Sequence, residues 1–97
     1  MITITHRPGS ITVAGHSGYA PIGKDIVCAG ISTLLQAFVV SVHKLTSDEI
    51  KADMRAGKAV VEYGNLSGSG KLLVDSFFIG VKMIADEYPD YVRVTEP

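Results

Sequence analysis

The feature that most constrains the fold is a long stretch without proline, from Asp25 to about Lys44, in which Gly30 is the only glycine. This stretch is too long for an ordinary strand and therefore predicts a helix. Apolar side chains occur on every side of that helix, which is typical of a helix buried at the centre of a domain. They are Ile26, Val27, Ile31, Leu34, Leu35, Phe38, Val39, Val40 and Val42.

One narrow stripe of this helix differs from the rest. It contains, at spacings of three or four residues, Asp25, Cys28, Ser32 and Gln36. At about 100° per residue, these positions lie within about 80° of each other on one face. We therefore expect this stripe to carry the chemistry of the protein.

Four segments that alternate between apolar and polar residues predict two β-hairpins. Ile2–His6 is expected to pair with Ser10–Ala14, and Ile50–Met54 with Lys58–Tyr63. Glycine stands in both connecting turns. The loop of residues 15–24, between the first hairpin and the long helix, holds three glycines and a proline and is expected to move.

A second helix is expected from about Gly70 to Tyr88, with Ser67 or Ser69 as its N-cap and Pro89 as its stop. Its spacing allows ion pairs between residues four apart on a solvated face. The charged residues of that face are Lys71, Asp75, Lys82 and Asp86.

The last alternating segment, Tyr91–Thr95, predicts a final strand. The expected fold class is therefore α+β with a mostly antiparallel sheet, in the order β-hairpin, long buried helix, β-hairpin, second helix and final strand. We expect residues 1–97 to form a single domain, because typical domains contain about 50 to 250 residues.

The composition is apolar for so short a chain, with 46% hydrophobic residues and a mean hydropathy of +0.27. A small domain has little interior in which to bury such residues. A homodimer that covers part of the apolar surface is therefore expected, and a monomer with an unusually apolar surface is the alternative.

Charge and hydropathy patterning exclude several classes of function. Nine basic and ten acidic residues are mixed along the chain, which argues against a nucleic-acid partner. No apolar run is expected to reach the roughly 20 residues of a membrane span, and the N-terminus does not resemble a signal peptide. A cytoplasmic location without membrane association is therefore expected.

The side chains that bind metals are too few and too scattered to predict a metal site. The chain has one cysteine, which excludes an intramolecular disulfide and suits a reducing compartment. His6, His16 and His43 stand singly. We expect neither a metal ion nor a cofactor.

Cys28 is a candidate nucleophile. With Asp25 as N-cap, Cys28 lies in the first helical turn, where the helix dipole favours an anion by about 0.3 to 1 kcal/mol. A pKa unit corresponds to about 1.4 kcal/mol, so the helix alone lowers a thiol pKa by less than one unit. A second positive group is required, and His16 on the preceding glycine-bearing loop is the candidate. The alternative is a small buried cysteine beside an ordinary loop histidine.

Two neighbouring polar residues have expected supporting roles. Asp25 either caps the helix through the N–H of Cys28 or orients the ring of His16. Ser32 lies one turn below Cys28 and is able to donate to the sulfur or to a substrate carbonyl. Main-chain N–H groups at the helix start are expected to stabilise an oxyanion.

Residues 15–32, GHSGYAPIGKDIVCAGIS, resemble the signature of the ribosomal-processing cysteine proteases of bacteria. Members of that family carry Gly-His, a glycine-rich loop with an aromatic residue, Gly-x-Asp-x-Val-Cys-Ala, and a serine four residues after the cysteine. The order of hairpins, helices and strand is similar along the whole chain. Ser17 departs mildly from the family, in which alanine is frequent at this position.

The resemblance implies a catalytic pair, His16 and Cys28, supported by Asp25 and Ser32. It also implies a homodimer and a flexible loop that orders over a bound peptide, with Gly15, Gly18, Tyr19 and Gly23 as its residues. The implied substrate is the N-terminal extension of a large-subunit ribosomal protein. Two alternatives are a non-catalytic dimeric peptide-binding module and a phage-type relative that processes a capsid or scaffold protein.

Overall fold

The computed structural model describes residues 1–21 and 24–96 and has the predicted α+β architecture. Its elements are β1 (Ile2–Arg7), β2 (Ser10–Ala14), α1 (Ile26–Leu45), β3 (Ile50–Arg55), β4 (Lys58–Tyr63), α2 (Gly68–Glu87) and β5 (Val92–Thr95). The two predicted hairpins are present, as β1 with β2 and β3 with β4.

The five strands form one sheet in the order β3-β4-β2-β1-β5. All neighbouring pairs are antiparallel except β1 and β5, which are parallel. The register places Ile4 opposite Val13, and Ile11 opposite Val61. The side chains of Ile4, Ile11 and Val61 therefore point to the same face of the sheet, and all three are fully buried.

Both helices pack on this apolar face. The buried residues of α1 recur every three or four positions and form one stripe: Val27, Ile31, Leu35, Phe38 and Val42. Those of α2 are Gly70, Val74, Phe77, Phe78 and Val81. The other face of the sheet carries Thr3, Thr5, Thr12 and several charged side chains, which is the usual pattern of a sheet covered on one side.

The prediction that α1 is buried all round is wrong for one side of the helix. Ile26 is 58% exposed, Val40 is 49% exposed and Leu45 is 71% exposed. The reason for Ile26 and Val40 is that α1 lies on an outer layer, with the sheet below it and α2 beside it, and among residues 1–21 and 24–96 no helix or strand packs on its far side. Leu45 is exposed because it is the last residue of the helix.

The prediction that no apolar run reaches the length of a membrane span also needs correction. With 20 residues and a mean hydropathy of 1.8, α1 is long and apolar enough to cross a membrane. The core helix of a soluble protein has the same properties, and five residues of α1 lie in the core.

The two helices approach closely at two glycines. A Cβ added to Gly30 would lie 3.1 Å from Ile84, and one added to Gly80 would lie 3.0 Å from Leu34. Gly30, the one helix-weakening residue of α1, thus has a packing role against α2. Of the two serines considered as the N-cap of α2, Ser67 is the cap, and its hydroxyl accepts from the N–H of Gly70.

Candidate active site

The site is built at the N-terminus of α1. Asp25 is the N-cap, and its Oδ1 accepts a hydrogen bond of 2.9 Å from the main-chain N–H of Cys28. Of the two roles considered for Asp25, this contact is the capping one. Cys28 is a free, partly buried cysteine in the first turn. The cap therefore holds the thiol-bearing residue at a defined place on the helix.

The Asp25 carboxylate is surrounded by donors. Partial burial is the largest single influence and raises the pKa of Asp25, but hydrogen bonds from the Ser17 hydroxyl and from three main-chain N–H groups together outweigh it. The pKa is therefore below the ordinary value of 3.8. Asp25 is a stable anion at neutral pH, which suits a structural anchor better than a proton acceptor.

Ser17 completes this arrangement, and sequence reasoning did not assign it a role. It is 3% exposed and is the only buried polar residue within residues 1–21 and 24–96. Its hydroxyl donates to Oδ2 of Asp25, and its main-chain N–H lies 3.4 Å from the Cys28 sulfur. The available signal was its position in the chain, directly after His16.

His16 is exposed. Its ring lies against the turn between β3 and β4, where a Cβ added to Gly57 would come within 3.2 Å of Nε2. The N–H of Gly15 donates to the Gly57 carbonyl at 2.8 Å and ties the loop to that turn. Among the hydrogen bonds of the described residues, none joins the ring of His16 to the thiol of Cys28.

His16 and Cys28 nevertheless line the same two clefts. The larger, about 560 Å³, also contains Asp25 and Ser32 in its wall. The smaller, about 250 Å³, extends toward the β3–β4 turn and again contains Ser32. Ser32 is exposed there. The larger cleft thus brings together the four expected site residues, whereas Gln36, the last residue of the polar stripe, lines neither cleft.

Two clefts of similar size lie elsewhere, near Tyr63. Their volumes are about 590 Å³ and 620 Å³, and neither contains Cys28 or His16. We place the site at the N-terminus of α1 because a thiol and an imidazole that share a cleft are able to perform nucleophilic chemistry, whereas volume alone is no indication of chemistry.

The loop before α1 is held at both its glycine-rich start and its aromatic residue. Gly15 and Gly18 have φ angles of 94° and 72°, which only glycine adopts readily. The ring of Tyr19 packs edge-on against Tyr88 and Tyr91, with ring centroids 5.4 Å and 5.3 Å apart. Gly23, which belongs to the predicted flexible loop, lies outside the described residues.

The expected role of the helix start in oxyanion binding receives no support from the donors of the first turn. The N–H of Cys28 donates to the Asp25 carboxylate, and that of Ala29 donates to the Asp25 carbonyl oxygen. These two donors are occupied. An oxyanion would have to use other donors.

The chemistry available to such a cleft is that of a nucleophilic thiol with a nearby imidazole. Within the described part of the chain, no group of three or more His, Cys, Asp or Glu residues is arranged to hold a metal ion. An α+β fold with a cleft lined by both Cys28 and His16 is typical of the class of the cysteine peptidases.

Comparison with known proteins gives the family. Residues 1–93 match the sequence model of the family described as Cysteine protease Prp, and the chain belongs to this family. The ribosomal processing cysteine protease Prp of Staphylococcus aureus (strain Mu50 / ATCC 700699) is 27% identical over 103 residues, which cover 97% of each protein. The resemblance inferred from residues 15–32 is thereby confirmed.

Solved structures agree with this fold. The S. aureus Prp structure with a covalently linked product peptide superposes with a TM-score of 0.92, at 24% identity and with 100% of both chains covered. SMU.848 from Streptococcus mutans superposes with a TM-score of 0.78, at 24% identity, over 99% of this chain and 93% of the other. At this identity the likeness shows the fold.

Proposed function

We propose that this cysteine protease removes an N-terminal extension from a large-subunit ribosomal protein. The support comes from the S. aureus relatives, which are named ribosomal processing cysteine proteases and match almost the whole chain. S. aureus Prp has also been solved with a substrate peptide and with a covalently linked product peptide.

The catalytic pair in this proposal is Cys28 and His16. The observation that carries it is that both residues line the same two clefts at the N-terminus of α1. Hydrogen bonds between catalytic groups are often long in the empty enzyme and shorten when substrate binds, so a modest movement of the loop bearing His16 fits the role.

The reaction proceeds in two halves. As the Cys28 sulfur attacks the scissile carbonyl carbon, His16 accepts the thiol proton, and it then passes this proton to the leaving amine as the C–N bond breaks. The acyl group is left as a thioester on Cys28. Water then attacks the thioester, with His16 taking a proton from the water, and the carboxylate product and the free thiol are formed.

Asp25 and Ser32 support the pair in different ways. Asp25 fixes the first turn by accepting a hydrogen bond from the main-chain N–H of Cys28, and its negative charge lies at the N-cap. Ser32 is exposed in the wall of both clefts, one turn from Cys28, where its hydroxyl is able to bind a carbonyl oxygen of the peptide.

The loop of Gly15, Gly18, Tyr19 and Gly23 is proposed to order over the bound peptide. The two glycines with positive φ give this segment backbone freedom at its start. Tyr19 is 41% exposed although its ring packs on two tyrosines, so part of the ring remains available to a peptide.

We also propose that the protein is a cytoplasmic homodimer that binds neither nucleic acid nor membranes. Leu72, Ile79 and Met83 lie on one side of α2 and are 69%, 64% and 68% exposed. Met83 also lines a shallow apolar depression of about 520 Å³ between the two helices, together with Gly30 and Leu34. A second copy of the chain would remove these side chains from water.

A cleavage assay tests the proposed function. A ribosomal-protein precursor with its N-terminal extension is incubated with wild type, Cys28→Ser and His16→Ala, and shortened N-termini are found by mass spectrometry. We expect cleavage by wild type, none by Cys28→Ser, and a loss of at least about 100-fold in His16→Ala. His43→Ala is the matched control, because His43 is exposed near the other end of α1. Equal cleavage by wild type and Cys28→Ser would end the proposal.

A search of a bacterial lysate extends the assay to other substrates. The lysate is treated with wild type or Cys28→Ser, and all N-termini that appear only with wild type are identified. Cleavage of other proteins with the ribosomal precursor left intact would keep the chemistry and overturn the proposed substrate.

A further inference from the structure

We propose that Ser17 is a positioning residue whose hydroxyl holds the Cys28 thiol in its protonated form while the site is empty. The proposal rests on the proposed function, because it takes Cys28 to be the nucleophile. The geometry that carries it is the way one buried hydroxyl connects the N-cap carboxylate with the sulfur.

The hydroxyl of Ser17 has no spare hydrogen-bonding capacity. A serine hydroxyl is able to donate one hydrogen bond and accept two. Here it donates to Oδ2 of Asp25, accepts from the main-chain N–H of Tyr19 at 3.2 Å, and lies 3.7 Å from the Cys28 sulfur, which is within reach of a weak S–H donor.

The direction of each hydrogen bond follows from Asp25. Its pKa is lowered, so the carboxylate is ionised at neutral pH and brings no proton to the contact. The proton between the two oxygens therefore belongs to Ser17. Because that proton is engaged, the Ser17 oxygen presents only lone pairs to the sulfur.

An oxygen that presents lone pairs stabilises S–H and repels S⁻. Ionisation of Cys28 therefore costs more with the Ser17 hydroxyl than without it. The main-chain N–H of Ser17 has the opposite preference, because it points at the sulfur from 3.4 Å and favours an anion. Substitution of the side chain removes the hydroxyl and leaves the N–H in place.

The other charged or titratable groups around the thiol come from the loop, the cap and the β3–β4 hairpin. Those that line the clefts with Cys28 are His16, Lys24, Asp25, Arg55 and Lys58. All five residues are present in every variant compared below. A difference between variants at position 17 therefore reports the loss of the Ser17 hydroxyl, which removes its contacts with both Asp25 and the sulfur.

The test is the rate of Cys28 alkylation by iodoacetamide as a function of pH, measured without substrate. Ser17→Ala is expected to move the midpoint of this profile down by about half to one pH unit, the size expected from the loss of one hydrogen bond. Ser17→Thr retains a hydroxyl at this position and is expected to keep the wild-type midpoint. The matched control is Ser76→Ala, on the exposed side of α2.

Folding of each variant is checked by thermal denaturation. Ser17→Gly also lacks the hydroxyl and replaces Ser17→Ala if the latter does not fold. A midpoint that stays in place or moves up in both variants without a hydroxyl overturns the proposal, as does an equal shift in Ser17→Thr, which would assign the effect to packing.

The outcome is distinguishable from that of the proposed function. Alkylation reports the thiol whether or not any peptide is cut. If the precursor is not cleaved but the midpoint shifts as expected, the substrate proposal fails and the role of Ser17 stands. If the precursor is cleaved and the midpoint does not move, the substrate proposal stands and the role of Ser17 fails.

Discussion

Asp25 accepts a hydrogen bond from the main-chain N–H of Cys28 at 2.9 Å, so a single carboxylate both begins α1 and fixes the backbone of the proposed nucleophile. Its second oxygen accepts a hydrogen bond from the hydroxyl of Ser17, which lies on the same loop as His16. Stability of the helix start and geometry of the site therefore depend on the same residue.

Removal of the N-cap is expected to lower both stability and activity. Asp25→Ala loses the bonds to Cys28 and Ser17, and we expect the Tm to fall by about 5 °C. Asp25→Asn keeps an oxygen acceptor and should lose less. The Tm of both variants and of Asp90→Ala, an exposed aspartate, is measured by circular dichroism; equal values for Asp25→Ala and wild type would contradict the capping role.

Stability is expected to fall in mild acid. Asp25, Asp48 and Glu96 each have a pKa below the ordinary values of 3.8, 3.8 and 4.5. A side-chain hydrogen bond is the largest cause for Asp48, from Ser67, and for Glu96, from Lys82. For Asp25 burial is the largest single influence and raises the pKa, but the hydrogen bonds together outweigh it. A folded pKa below the unfolded one gives stability that is complete above about pH 5 and is lost as pH falls through the folded value.

The measurement is the urea midpoint between pH 7 and pH 3. The Asp48 carboxylate accepts from the Ser67 hydroxyl at 2.7 Å, so Asp48→Asn should flatten the acid side of the curve. An unchanged slope in Asp48→Asn would show that this carboxylate makes no contribution to the pH dependence.

Gly15 is expected to tolerate no side chain. Its φ is +94°, and an added Cβ would collide with the carbonyl oxygen of Met1. We expect Gly15→Ala to lower the free energy of unfolding by about 2 kcal/mol or more. Gly64→Ala is the control, because nothing lies within 4 Å of a Cβ there. Chemical denaturation measures the free energy of unfolding of both variants, and equal values for Gly15→Ala and Gly64→Ala would refute the prediction.

The ring of Tyr19 is expected to anchor the loop against Tyr88 and Tyr91 in the empty protein. Each edge-on aromatic pair contributes about 0.5 to 1.5 kcal/mol, so Tyr19→Ala should increase opening of residues 15–21 by several-fold. Tyr19→Phe keeps the ring and should behave as wild type. Hydrogen exchange of the loop amides measures the difference, and equal protection in Tyr19→Ala would exclude an anchoring role.

A charge on the exposed side of α2 is expected to separate the proposed dimer. Met83→Glu should sediment as a 10.3 kDa monomer, whereas wild type should sediment as a dimer. Lys71→Glu changes the charge elsewhere on α2 and should leave the assembly intact. A monomeric wild type at high concentration would rule out the dimer.

Local sequence patterns predicted most of the secondary structure. The alternating segments gave both hairpins within one residue of their observed ends, and Asp25, which was a candidate N-cap, is the N-cap. These features depend on residues a few positions apart, whose preferences act before the chain is compact.

Contacts between distant parts of the chain were the part that local rules did not predict. Lys82 was expected to face Asp86 on α2, yet its Nζ lies 2.8 Å from Glu96, which follows β5. The exposed side of α1 and the contact of Gly30 with Ile84 could not be predicted locally either, because both depend on where the sheet and α2 lie.

The sequence by itself determined the order of the elements, the position of Cys28 in a first helical turn and the presence of His16 on the loop before it, because each follows from spacing along the chain. Only the tertiary structure decided that Ser17 is buried between the cap and the sulfur and that His16 lies against Gly57. The physical reason is that burial and hydrogen bonding depend on which surfaces meet, and this is fixed only when loop, helix and hairpin pack together.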